Sequence, residues 1–295
     1  MSEPGMAASE WQRRVEDTWL GHPVVFDADG QRQGFIAVSR TVRRRDDGSP
    51  EIVVTNDCDF DGPVFDRIAQ RDLVLRITEA DGRRIYDGRD FHGGGTAFGR
   101  LLLGQDFIIP WGLETVVAVQ VLPDGITQCY SNLAYQGPRL IAVIGGVYAT
   151  GVSDADEFAQ SQRRWGSDEF TWGGHAWSGE VEVHDGTHST TAAMRIDTST
   201  GQLHIEGGGF AEPVATRVTT TGAQQQYEGP DVIGNAMAYG PMLFGTRHLC
   251  GRGVRVTTRD VLLDHGQRLA VAYQHHLGGT DVLVVNGVLE REQGS

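Results

Sequence analysis

The chain of 295 residues contains no lysine; all 25 of its basic side chains are arginine. That absence excludes Schiff-base catalysis and pyridoxal attachment, both of which need a lysine amine. Cysteine is nearly as scarce. Cys58, Cys129 and Cys250 are odd in number, widely spaced and without a Cys-x-x-Cys pair, so neither a disulfide framework nor a cysteine-rich zinc site is expected, and the three read as small buried hydrophobes. No apolar run nears the ~18 residues of a membrane span, and Met1-Ser2-Glu3-Pro4 lacks the charged-then-apolar start of an export signal. A soluble cytoplasmic protein, not inserted in a membrane, is expected. Positive charge is also in deficit: 39 acidic residues leave a formal charge of -14. Phosphate backbones are repelled by such a chain, and nucleic acid is not an expected partner.

Glycine, by contrast, is abundant, with 40 residues, and threonine and valine are frequent. Together with the lack of long heptad patterns this points to many short strands joined by tight turns, a mainly β protein. The length suits two cores better than one. Sliding the sequence against itself by 141 positions shows why. Tyr86 to Asp90 falls on Tyr227 to Asp231, and the match continues ungapped for about 60 residues. Gly93, Ala97, Gly99, Leu102 and Gly104 meet Gly234, Ala238, Gly240, Leu243 and Gly245, and Gly146-Val147 meets Gly287-Val288. Upstream the offset becomes 150, where Phe60 to Val64 matches Phe210 to Val214, and then 158, where Trp19-Leu20-Gly21 matches Trp177-Ser178-Gly179. Such steps are expected of insertions in surface loops.

Each half carries a late hairpin, Val116 to Leu122 with Ile126 to Tyr135, and Val254 to Leu263 with Leu269 to His276. About eight strand-like segments per half would close an up-and-down barrel without exposed edges. Short helices precede both halves. Ser9-Glu10-Trp11-Gln12 has capping-box spacing before an amphipathic run to Trp19, and Ser153 to Asp156 opens an acidic-first segment to about Trp165. The expected domains are 1–150, a helical linker 151–174, and 175–295. Phe158, Trp165, Phe170 and Trp172 are too many aromatics for a free tether, which predicts that the halves pack together.

The Trp-x-Gly entry to a strand, the long meander and the closing run Leu140 to Tyr148 resemble calycins, the lipocalin-like barrels. The whole chain, with Trp19-Leu20-Gly21 opening the first half, Leu122-Pro123-Asp124-Gly125 in its late hairpin and Met237 to Leu243 in the second, resembles an uncharacterised bacterial family of two-barrel lipocalin-like proteins, familiar from cyanobacteria and from gene clusters for specialised metabolites. Its architecture is more distantly similar to that of carotenoid hydratases and decalin-forming Diels-Alderases. The resemblance implies a tandem of two lipocalin-like antiparallel β-barrels that hold a hydrophobic small molecule. No catalytic residue of those enzymes has a counterpart here.

Among motifs, His92-Gly93-Gly94-Gly95 looks like an esterase oxyanion loop, yet no Gly-x-Ser-x-Gly elbow accompanies it. Asp57, Asp59, Asp61 and Gly62 mimic a calcium loop, but Ile68 stands where the bidentate glutamate belongs. His184 and His188 have the spacing of a helical metal pair across an Asp-Gly turn. No metal and no cofactor are expected. More informative are positions where the halves differ. Gln128, Tyr130 and Asn132 alternate onto one face of a strand, where the second half has Leu269, Val271 and Tyr273. His248, His275 and His276 replace Phe107, Ala134 and Tyr135. A pocket for an apolar ligand needs aromatic walls and a few polar groups. His92, Tyr130 and Asp90 are the expected proton-handling groups, with Trp111, Asn132 and Tyr135 as ligand contacts in the first half and Tyr239, His248, Tyr273 and His275 in the second. The equivalence of Asp90 and Asp231 argues for a shared turn role instead. The expected function is cofactor-free cyclisation, isomerisation or hydration of a polyketide or terpenoid; the alternative is a carrier or chaperone for a lipid, carotenoid or tetrapyrrole. A third reading, a structural duplicate with a filled interior, leaves many Trp and Tyr polar atoms in need of partners.

Overall fold

The computed structural model describes residues 9–58, 72–80, 83–167, 170–198 and 201–292. The chain divides into two compact units, residues 1–164 and 165–295. In the first, helix α1 (Glu10–Val15) is followed by β1 (Asp17–Gly21), β2 (Val24–Asp27), β3 (Arg32–Arg44), β4 (Pro50–Cys58), β5 (Leu73–Ala80), β6 (Arg83–Gly88), β7 (Phe91–Phe98), β8 (Leu101–Ile108), β9 (Leu113–Val121), β10 (Thr127–Gln136) and β11 (Arg139–Thr150). After α2 (Ala155–Ser167) come β12 (Ala176–His184), β13 (Ser189–Asp197), β14 (Gln202–Gly207), β15 (Val214–Thr221), β16 (Gln224–Glu228), β17 (Val232–Tyr239), β18 (Met242–Leu249), β19 (Val254–Leu263), β20 (Arg268–Leu277) and β21 (Thr280–Arg291).

Both units are closed antiparallel barrels. The second is a ring of ten strands sealed by β12 against β21. In the first, the opening strand is broken at His22-Pro23. Its pieces β1 and β2 each bridge β3 and β11, so they fill one position of a ten-strand ring. Proline has no N–H to give to a ladder, which suits it to the break. Strands β5 to β11 and β15 to β21 start 141 residues apart, pair by pair. The repeat register therefore reaches back to Leu73 and Val214, and the pairing of Val64 with Val214 at offset 150 is displaced. The expected eight strands per barrel are two short. Segments such as β16, with three glutamines and a single aromatic, lack the β-branched alternation by which strands are recognised.

Local chemistry sets the ends of these elements. Ser9 caps α1 by accepting from the Gln12 N–H at 3.0 Å. The helix stops at Val15 instead of running to Trp19, which lies on β1. Trp19 and Trp177 are each 1% exposed and hold equivalent places at the start of the two barrels. Their indole N–H groups donate to the carbonyls of Val15 and Gly266. Asp124 turns the β9–β10 hairpin by accepting from Ile126 and Thr127. Trp11 and Val15 of α1 join the core of the first barrel, and Trp172 joins that of the second. Among the cysteines, Cys129 is buried as expected, whereas Cys250 is exposed, in a 3-10 turn after β18.

Candidate functional site

Strand alternation decides which side chains enter each barrel. On β10 the inward set is Gln128, Tyr130, Asn132 and Ala134; on β20 it is Leu269, Val271, Tyr273 and His275. Ten strands make a wider interior than eight, and the first barrel holds a partly open cavity of about 150 Å³. A single water needs about a tenth of that. Ile36, Val38, Leu75, Phe91, Val117 and Ile144 give it an apolar wall.

Into this wall are set Arg40 of β3, Asp106 of β8, Thr115 of β9, Tyr130 and Asn132 of β10 and Tyr148 of β11. The Asn132 amide donates to the Tyr130 hydroxyl at 3.1 Å, which leaves the phenolic proton for another acceptor. Arg40 donates to the Gln128 amide oxygen and lies 5.2 Å from the centre of the Tyr148 ring. Asp106 faces Gly93 across the β7–β8 ladder. A Cβ on that glycine would come within 2.0 Å of the Asp106 Oδ1, so glycine is what makes room for the carboxyl group. Burial pushes the Asp106 pKa up to about 7, with a hydrogen bond from the Gly94 N–H acting in the other direction. Burial likewise raises Tyr130 and Tyr148 and lowers Arg40. Asp106 Oδ1, Thr115 Oγ1, Asn132 Oδ1 and Arg40 Nε are buried without a hydrogen-bond partner. Native interiors rarely leave such atoms unpaired, least of all several around one space.

The second barrel has its own interior space of about 110 Å³, lined by Trp172, Trp177, Tyr227, Arg247, Asp260 and Tyr273. Arg247, 1% exposed, occupies the position equivalent to Asp106, with its guanidinium 4.7 Å from the Tyr227 ring centre. Tyr273 donates to Asp260 at 2.7 Å, and Tyr227 donates to Gln225 at 2.8 Å. Burial lifts Asp260 to about 6 against the opposing pull of Arg247 and Tyr273. Burial by itself would lower Arg247, but Tyr227, Tyr273 and Asp260 reverse this and raise it.

Of the sequence-predicted residues, Trp111, Tyr130 and Asn132 meet at the first cavity and Tyr273 lines the second. The others stand elsewhere. His92 points outward from β7, its side chain 66% exposed, 3.6 Å from Asp87. Asp90 sits in a turn where its carbonyl accepts from Ile109, as that of Asp231 does from Cys250. Tyr135 follows a register shift on β10 and lies on the outward side. Tyr239 packs on Phe244 on the outer face, and His248 is exposed on β18. His275 is inward but packs on Phe210 at 4.8 Å, away from the second cavity lining. The His184–His188 segment is a β-hairpin turn held by Asp185. The possible calcium loop from Asp57 to Ile68 lies mostly outside the described residues. Among the described residues no cluster of three His, Cys, Asp or Glu side chains is placed to hold a metal ion, and no helix is long and apolar enough to cross a membrane.

Sequence reasoning missed Arg40, Asp106 and Tyr148. Asp106 carried a signal: it stands in the apolar run Leu101 to Ile109 and meets an arginine, Arg247, in the other half.

No family model and no curated protein matches the chain. Among solved structures, it is similar to a protein of unknown function of the DUF3598 family from Nostoc punctiforme, at 8% identity and a TM-score of 0.61, with 97% of this chain and all of that one covered. Transferrin binding protein B from Haemophilus parasuis matches at 7% identity and a TM-score of 0.28, covering 93% of this chain and 76% of that one. The first likeness extends to the fold alone, a two-barrel fold shared over the full length.

Proposed function

We propose that the first barrel binds a small, mostly apolar molecule and moves a proton on it, as a cofactor-free isomerase, cyclase or hydratase acting on polyketide- or terpenoid-like skeletons. The observation that carries this reading is Asp106, a carboxyl group whose Oδ1 is buried without a hydrogen-bond partner beside a mostly apolar cavity. A carboxyl group that titrates near 7 is populated as acid and as base at neutral pH, the condition under which one group both gives and takes a proton efficiently. Tyr130, with its proton free to donate, is the second proton-handling group. Enclosure would fix a flexible substrate in a reactive conformer, worth up to about 7 to 11 kcal/mol in well-oriented systems. Asp106 thus takes the role the sequence suggested for His92 and Asp90.

A carrier needs the cavity but no ionisable group within it. The resemblance to lipocalin-like barrels and Diels-Alderases is one of architecture and supports a ligand pocket, not a reaction.

The test is to incubate the protein with extracts of its host and identify by native mass spectrometry what it retains. A retained metabolite released as a rearranged isomer, with conversion lost and retention kept in Asp106→Asn, is the expected result. Release of the metabolite unchanged would establish the carrier; no retained molecule would remove both readings.

A further inference from the structure

We propose that the molecule bound in the first barrel is an organic acid, an apolar skeleton bearing a carboxylate that Arg40 holds inside the cavity. The inference deepens the proposed function and rests on its claim that the cavity is a ligand site. It comes from charge bookkeeping around one guanidinium. Arg40 lines the cavity, gives one N–H to the Gln128 amide oxygen, stacks over Tyr148, and keeps its buried Nε without a partner. Among the described residues Arg40 forms no ion pair with a carboxylate. Arg84, whose charge also acts on it, is itself a cation, paired with Glu79 at 3.0 Å.

Arg40 is half-buried, with its Nε shut off from solvent; a guanidinium stays protonated in such a place, so it calls for a counter-charge as well as hydrogen-bond acceptors. The second barrel supplies the control. Its interior arginine, Arg247, has Asp260 in its field. In the first barrel no carboxylate among the described residues is paired with Arg40, and the guanidinium borders a cavity where a ligand could supply the anion. Arginine matches a carboxylate in shape as well as in charge. Tyr130, whose hydroxyl already accepts from Asn132, has a proton to offer the same anion. The apolar wall opposite is suited to the rest of the molecule.

The test is calorimetric titration of the full chain with three matched pairs: benzoate and benzyl alcohol, cinnamate and cinnamyl alcohol, octanoate and 1-octanol. It is run at about pH 6, where Asp106 is mostly protonated and the acids are ionised. The expected result is that at least one acid binds about tenfold or more tightly than its alcohol, that Arg40→Gln abolishes the difference, and that Arg40→Lys keeps part of it. Equal binding of acids and alcohols, or a preference for acids that survives Arg40→Gln, overturns the assignment of an anion while leaving the cavity reading in place. Binding of no member of any pair overturns both. The acid-to-alcohol ratio in the unaltered protein decides even if the Arg40→Gln barrel does not fold.

Discussion

The two barrels are built on one register, yet the acids that line their cavities, Asp106 and Asp260, stand at different places and in different states. In the second, Asp260 accepts from Tyr273 and lies in the field of Arg247, so the charged groups offset one another within the protein. In the first, Asp106 has no tyrosine donor among the described residues, and its Oδ1 is left without a hydrogen-bond partner beside the cavity, whereas unpaired guanidinium nitrogens occur in both barrels, Arg40 Nε in one and Arg247 Nε and Nη1 in the other. The scaffold thus gives its interior acid a hydrogen-bonding tyrosine in one copy and leaves a carboxyl oxygen open to the cavity in the other.

Four experiments would break or sharpen this contrast. The largest effect should fall on what the barrels share: Trp19→Ala and Trp177→Ala should each cost about 3 to 5 kcal/mol in denaturant unfolding, since each removes a buried indole and its hydrogen bond. A marked inequality between them would show that the scaffolds are not equivalent. Next come the acids. Asp106 has a raised pKa in the folded state, so between the ordinary value near 3.8 and about 7 the folded state holds the proton that the unfolded state has lost, and stability falls as pH rises. Asp106→Asn should therefore stabilise the protein by an amount that grows over this window, levels off above about pH 7, and reaches a few kcal/mol at most. Asp260→Asn should give less or none, because it strips Arg247 of its counter-charge and leaves the Tyr273 hydroxyl a weaker acceptor. Equal gains from both would erase the proposed difference.

Third, Tyr130→Phe should lower turnover of the identified substrate at least about tenfold if its hydroxyl handles a proton. The smallest effects are expected outside the cavity. His92→Ala should change stability by less than about 0.5 kcal/mol, as for most exposed positions, and leave binding of the calorimetric probes unchanged. A loss of binding there would relocate the site to the outer face of β7.

Much of this architecture was legible in the sequence because glycine and turn residues must recur wherever strands end. The match at a shift of 141 positions, running from Tyr86 for about 60 residues, covers β6 to β11 and their counterparts β16 to β21. The register in fact extends back to Leu73 and Val214, while the match of Phe60 to Val64 with Phe210 to Val214 involves residues 60–64, which lie outside the described residues. The cavity was half legible. Gln128, Tyr130 and Asn132 stood out by alternation along one strand, whereas Tyr135 was chosen for its aromatic ring although the same alternation sends it to the other face. Arg40 and Asp106 lie on strands remote in sequence and meet the same cavity only when the ring closes. His92 was chosen for its glycine neighbours, whose purpose in the case of Gly93 is to accommodate Asp106.

That glycine has a consequence for how such a protein changes over generations. Gly93 makes room for the Asp106 carboxyl group, whereas at the equivalent Gly234, opposite Arg247, a Cβ would come within 2.3 Å of the Thr246 carbonyl oxygen, so there it is the close approach of backbone that calls for glycine. The residue opposite that glycine is an acid in one barrel and an arginine in the other, with the strand boundaries around it unchanged. A copied barrel can thus change the sign of an interior charge without changing its fold.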